Sequence, residues 1–202
     1  EQDECWLVDS HIFEGDTGKE KPWNECGSFL LSARYRTLHG GQVGIRSIAV
    51  DSGFNTERAY RFVDYLKKVD TAGRLIIATK GVENFPRLVS DRGKVSKQYN
   101  MVFYNIGTNI AKDHLSSLLS NSTSGPNYVH LPVSFPSEDD QPRFLDREVL
   151  EQLTSEKPVV TYKKGQPVRE WRKTRERNEQ WDMFVLSYAA LLALGLKVLS
   201  DL

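Results

Sequence analysis

This sequence predicts a single α/β domain built on a mixed sheet. Three observations carry that expectation. Short apolar runs alternate with amphipathic stretches along the chain. No linker rich enough in Pro, Gly or Ser divides it, and no internal repeat is visible. Its 202 residues suffice for one medium-sized hydrophobic core, so residues 1–202 are read as one domain.

The elements follow in order. CWLVDSHIF (Cys5 to Phe13) is rich in β-formers and reads as a strand. Pro22 suits the first turn of a helix expected to run to about Thr37. His39 to Gln42 is a turn. Val43 to Asp51 reads as one buried strand, since Ile45, Ile48, Ala49 and Val50 leave little polar interruption. Asn55 or Thr56 caps the next helix, whose Ala59, Phe62, Val63 and Leu66 share a face. Arg74 to Thr79 and Met101 to Ile106 are apolar strands separated by a loop at 80–99, broken by Gly81, Pro86 and Gly93. Thr108 or Asn109 caps a helix. Residues 120–127 form a loop before the short strand YVHLPV, and 134–144 hold two prolines and an acidic run. Asp146 to Thr154 is a short helix. A β-hairpin turning at Lys164-Gly165 comes next. Asn178 caps a final helix with Trp181, Phe184, Tyr188, Leu191 and Leu192 as its apolar face.

Composition excludes several classes. Lys plus Arg equals 27 and Asp plus Glu equals 27, so overall charge points to no polyanionic partner; only local clustering could. The two cysteines, Cys5 and Cys26, are too few for a disulfide scaffold and suit a reducing compartment. No Cys/His spacing fits structural zinc, and the four histidines form no metal pattern. No apolar run reaches the roughly 20 residues of a membrane span, and the acidic start EQDECW lacks the basic region of a signal peptide. GDTGKEK is too short for a phosphate-binding Walker loop, and GxSxG is absent.

Two acids stand out by position. Asp51 ends an apolar strand, where ligands collect in open α/β sheets; it also reads as an Asp opening a turn before a helix. Asp182 lies one turn into the last helix, bordering the aromatic stripe, with Glu179 three residues earlier. Acids in a first turn also serve the helix dipole, which fits Glu179 better than Asp182. A carboxylate beside an aromatic face needs a partner, and a metal is one possibility. Hard oxygen ligands suit Mg2+ or Mn2+. Lys163, Lys164, Arg169, Arg172, Lys173, Arg175 and Arg177 crowd the hairpin and the entry to the last helix. They read equally as a phosphate-binding stripe or as a solvated hairpin.

Several segments resemble one family in the right order: AVDSG (Ala49 to Gly53), IGTNIAKDHLSSLL (Ile106 to Leu119), YVHLP, LEQLTSEK (Leu150 to Lys157) and RNEQWD (Arg177 to Asp182). They are similar to the nuclease domain of lambda-type phage terminase large subunits. RNEQWD is the most specific, departing from the family's usual Ala and Leu at Gln180 and Trp181. The resemblance implies a ribonuclease H-like mixed sheet flanked by helices, and a metal-dependent endonuclease that cuts double-stranded DNA concatemers during packaging with two Mg2+ or Mn2+ ions. It implies Asp51 and Asp182 as catalytic metal ligands, with Glu179 in the matching motif. The family's first acidic strand is expected to lie outside this chain, as is its ATPase domain. In a full-length motor the resemblance implies a small terminase subunit and a portal protein as partners, in the host cytoplasm. The competing readings are a non-catalytic DNA-binding or portal-docking module of the same fold, and a related resolvase or transposase domain.

Overall fold

The computed structural model describes residues 4–37, 39–131 and 147–200. The chain forms two compact units, Glu1–Ile12 with Asn109–Val185 and Phe13–Thr108 with Leu186–Leu202. Together they carry a mixed α/β set of elements with parallel and antiparallel pairings.

The second unit is organised by a four-stranded sheet. Its strands are β4 (Ser47–Asp51), β5 (Leu75–Val82), β7 (Met101–Gly107) and β6 (Lys94–Ser96), in that spatial order. β4, β5 and β7 run parallel and β6 is antiparallel. Parallel strands buried on both faces need apolar side chains on both, which is why SIAVD and LIIAT are nearly unbroken apolar runs. Helix α2 (Thr56–Val69) lays Tyr60, Phe62, Val63 and Leu66 against Ile48, Ile76 and Ala78. Helix α1 (Lys21–Ser32) adds Trp23, whose ring lies 5.1 Å from Phe62. The alternate residue Ser47 donates its hydroxyl to the Ala190 carbonyl at 2.8 Å, on the later part of α5 (Glu179–Ser200). At the end of β7, Gly107 donates its N–H to the Arg87 and Leu88 carbonyls, both at 3.1 Å. A Cβ there would stand 2.3 Å from the Arg87 oxygen and 2.6 Å from the Phe85 oxygen. Gly107→Ala is therefore expected to cost about 3 kcal/mol by forcing backbone apart, measured as a fall in urea midpoint; an unchanged midpoint would contradict this packing.

The first unit holds β1 (Cys5–Trp6) paired in parallel with β8 (Val129–His130), and the Trp6 ring stacked on His130 at 4.6 Å. It also holds α3 (Thr108–Ser120), which begins at the end of the sheet unit, and α4 (Arg147–Leu153). Strands β9 (Glu156–Lys163) and β10 (Gln166–Lys173) form a regular antiparallel hairpin. Lys164 (φ 52°) and Gly165 (φ 78°) are both left-handed, the geometry whose twist matches a two-residue hairpin turn.

Several expected boundaries are corrected. The strand expected over Cys5 to Phe13 is only β1, because β8 offers two pairing positions. The helix expected to reach Thr37 stops at Ser32, because Arg34–Arg36 (β2) pairs with Gln42–Gly44 (β3). The single strand expected from Val43 to Asp51 is two, β3 and β4, bound to different partners. The expected loop at 80–99 contains β6 and a bridge from Val89 to Ile106. Asn55 stands at the N-cap of α2 in a left-handed conformation, and its side chain makes no cap bond. On α5, Leu191 is 53% exposed; Trp181, Phe184 and Tyr188 are buried as expected, and Val185, Ala189 and Ala193 complete the face. The proline-rich stretch at 134–144 lies outside the described residues.

Candidate active site

Asp51 is the last residue of β4, opposite Thr79 on β5, and its side chain is exposed. The turn that follows is tightly bonded. The Ser52 N–H and hydroxyl both donate to the Thr79 carbonyl, at 2.9 and 2.8 Å, and the Thr79 hydroxyl donates to Val50 at 3.0 Å. Ser52 and Thr79 are fully buried, so these bonds extend the β4–β5 pairing past the strand end in a dry setting. The Thr56 hydroxyl donates to Ser52 at 2.7 Å and starts α2. Asp51 Oδ1 accepts the Gly53 N–H at 2.9 Å, an Asx turn that fixes the carboxylate while leaving it open to solvent.

Asp182 is held by residues from three chain segments. Lys112 of α3 places Nζ 2.7 Å from Glu156 Oε2 and 3.4 Å from Asp182 Oδ1. Asn178, just before α5, donates Nδ2 to Glu156 Oε1 at 2.7 Å and to Asp182 Oδ2 at 2.9 Å. The Glu156 side chain is 4% exposed and that of Lys112 is 11%, whereas that of Asp182 is 53% exposed. One buried carboxylate thus anchors two donors, and those donors orient a second carboxylate that reaches solvent. Below them, Gln152 is 2% exposed; its carbonyl accepts the Gln180 N–H at 3.2 Å and its amide donates to Glu148 at 2.8 Å. The Asp182 carboxyl is raised above its ordinary value. Desolvation is the main cause; Lys112 pulls it back down, and Glu156 pushes it up again.

The other residues singled out in the sequence fall as follows. Glu179 pairs with Arg177 at 3.4 Å, both largely exposed, so its described partner is that arginine rather than Asp182. Asp51 belongs to the sheet unit, and Asp182 and Glu179 to the other. Among the described residues, no group of three or more His, Cys, Asp and Glu could hold a metal ion. Lys163 and Lys164 stand at the hairpin turn, and Lys173 pairs with Glu156 in register. Arg169 bonds Asp113, Arg172 bonds Glu170 at 2.7 Å, and Arg175 bonds Glu151. Lys112, Glu156 and the bridging role of Asn178 escaped the sequence reading, although all three lie in segments that carry the family resemblance. The available signal was a polar residue repeated in each such segment, at positions an apolar core would otherwise fill.

The chain matches, over residues 1–201, the family described as terminase large subunit gpA, endonuclease domain. It is 24% identical over 189 residues to the terminase large subunit of Escherichia phage lambda, covering 94% of this chain and 28% of that protein. It is 25% identical over 191 residues to the terminase large subunit of Enterobacteria phage P21, again covering 94% of this chain and 28% of the relative. The chain therefore spans a little over a quarter of the length of these relatives. No solved structure matches it.

Proposed function

This chain belongs to the family of terminase large subunit gpA endonuclease domains, and from that premise we propose that it is a metal-dependent endonuclease that cuts double-stranded DNA concatemers during genome packaging. The observation that carries this reading is the convergence of three separated segments on Asp182 through Lys112, Glu156 and Asn178. A buried ion pair is costly to assemble and weak evidence for stability, so its retention beneath an exposed carboxylate suits a site that needs that carboxylate in one place.

The donor chemistry suits a hard divalent cation. Asp182 offers a carboxylate that is 53% exposed, while both oxygens of the enclosed Glu156 are taken up by Lys112 and Asn178. Asp51 and Asp182 are each proposed as metal ligands, with Glu179 as a further candidate. Two Mg2+ or Mn2+ ions held there would supply Lewis-acid chemistry for phosphodiester hydrolysis. The chain's own residues do the rest. The Asx turn at Gly53 holds the Asp51 carboxylate toward solvent, and Asn178 and Lys112 orient that of Asp182. The cations of the hairpin and helix entry, Lys163, Lys164, Arg169, Arg172, Lys173, Arg175 and Arg177, would track the phosphate backbone. A ribonuclease H-like framework fits the mixed sheet with its strand-end acid. In the complete motor, the small terminase subunit and the portal protein would be partners, in the host cytoplasm. No helix among the described residues is long and apolar enough to cross a membrane.

A second reading, a non-catalytic DNA-binding or docking module of one domain, is favoured by one observation: among the described residues no group of three or more His, Cys, Asp and Glu could hold a metal ion. Cleavage separates the two. The endonuclease reading expects nicking of supercoiled plasmid in Mn2+, reduced at least a hundredfold by Asp51→Ala and by Asp182→Ala. The module reading expects duplex binding that is equal in Mn2+ and in EDTA, with no nicking.

A further inference from the structure

We propose that Glu156 and Asn178 are positioning residues for Asp182: the buried Glu156 carboxylate fixes Lys112 and Asn178, and these two donors fix the carboxylate that takes the metal. The inference rests on the metal-dependent reading of Asp182 given above.

The geometry is specific about roles. Both Glu156 oxygens are used, Oε2 by Lys112 at 2.7 Å and Oε1 by Asn178 at 2.7 Å. Both Asp182 oxygens face the same two donors at longer range, Oδ1 to Lys112 at 3.4 Å and Oδ2 to Asn178 at 2.9 Å. The shorter contacts are on the buried acid and the longer ones on the exposed acid. Lys112 and Asn178 are therefore anchored from behind and present their remaining donors forward. A cation arriving from solvent meets Asp182, whereas Glu156 is enclosed and already saturated. The segments involved also explain the arrangement. Glu156 opens β9, where Lys173 is its register partner on β10. Ser155, just before it, is fully buried, and its carbonyl accepts both the Thr174 N–H at 2.7 Å and the Thr174 hydroxyl at 2.8 Å. The base of the hairpin thus clamps Glu156. Asn178, itself 4% exposed, is held to α5 through its carbonyl, which accepts the Trp181 and Asp182 N–H groups at 3.0 and 3.2 Å.

Chemistry supplies a sharp substitution. Gln at position 156 keeps the size of Glu but offers only one acceptor oxygen. Its amide N–H2 must then face either the Lys112 ammonium or the Asn178 amide, donor against donor, and one of the two loses its anchor. Asn178→Ser makes the complementary change without altering charge. It keeps a residue suited to precede a helix but removes both side-chain bridges.

The test measures Mn2+ binding to the whole chain from the decrease of the free-ion electron paramagnetic resonance signal, at a temperature where each variant is folded by circular dichroism. Native chain, Asp182→Ala, Glu156→Gln and Asn178→Ser are compared. The expected result is that Asp182→Ala removes one class of Mn2+ binding, that Glu156→Gln weakens it at least tenfold, and that Asn178→Ser weakens it about threefold or more. If Asp182→Ala leaves Mn2+ binding unchanged, the metal reading of Asp182 itself falls. If Asp182→Ala removes binding but Glu156→Gln and Asn178→Ser bind as the native chain does, the positioning role alone is overturned. If Glu156→Gln weakens binding and Asn178→Ser does not, Glu156 acts on the metal directly, which also overturns it. Should Glu156→Gln fail to fold, Asn178→Ser decides by itself.

Discussion

Lys112→Met is expected to lower the free energy of unfolding by about 3–5 kcal/mol, because it strands a charged carboxylate in the interior. The side chains of Lys112 and Glu156 are 11% and 4% exposed and meet at 2.7 Å. Removing the ammonium leaves Glu156 with only the Asn178 amide. The cost comes from the abandoned partner more than from the lost attraction. The double variant Lys112→Met with Glu156→Leu should therefore recover most of the stability, since an apolar pair of similar volume needs no solvation. Urea unfolding of the two variants measures this directly. Equal losses in the single and double variants would mean that packing, not the stranded charge, sets the effect.

The second large effect is expected at Arg74, in the loop between α2 and β5. Arg74 and Asp70 form an ion pair whose two side chains are each 5% exposed. Arg74 also donates to the Leu31 carbonyl at 2.7 Å and the Ile45 carbonyl at 3.0 Å. It therefore ties the end of α1 and the segment between β3 and β4 to the loop before β5. Arg74→Ala strands a buried carboxylate and two carbonyl acceptors together, and should cost about 3–5 kcal/mol. The acid side of the stability profile offers a separate check. Burial alone would raise the Asp70 carboxyl. The backbone and side-chain hydrogen bonds from Arg74, joined by the Ala72 N–H, outweigh it and hold the carboxyl below its usual value. A lowered carboxylate contributes stability above its unfolded pKa and loses it as pH falls through the folded one. Native protein should thus lose stability below about pH 4, where unfolded Asp binds its proton, and Asp70→Asn should lose less over that interval. Parallel profiles for the two would contradict the assignment.

These residues also mark what the sequence disclosed and what it withheld. Asp51 stood out as a candidate because it ends the apolar run of β4, and the turn-opening role also read from the sequence is seen in its bond from the Gly53 N–H. Asp182 was legible because it borders the aromatic stripe of Trp181 and Phe184, both now seen buried. The hairpin turn was legible to the residue, since Gly165 readily takes a left-handed conformation, although β9 starts at Glu156, two residues before the run that reads as a strand. What escaped depends on distant pairing. Nothing local in VGIRSIAVD indicates that Val43 pairs with Tyr35 while Ile48 pairs with Ile76. Nothing local in Arg34–Arg36 distinguishes the end of a helix from a short strand. Lys112 lies 44 residues from Glu156, and the two become an ion pair only once α3 is packed beside the hairpin base. The arginines were legible as a cluster, but their partners Asp113, Glu170, Glu151 and Glu179 were not. Charge counting sees cations; only the fold reveals which of them are already occupied.

The most direct test of the central claim is nicking of supercoiled plasmid by the chain in Mn2+, followed as conversion to open circle, beside Asp51→Ala and Asp182→Ala proteins confirmed to be folded. The endonuclease account predicts conversion by the native chain, quenched by EDTA and reduced at least a hundredfold by either substitution. Conversion that persists in both variants, or no conversion by the native chain, would contradict it.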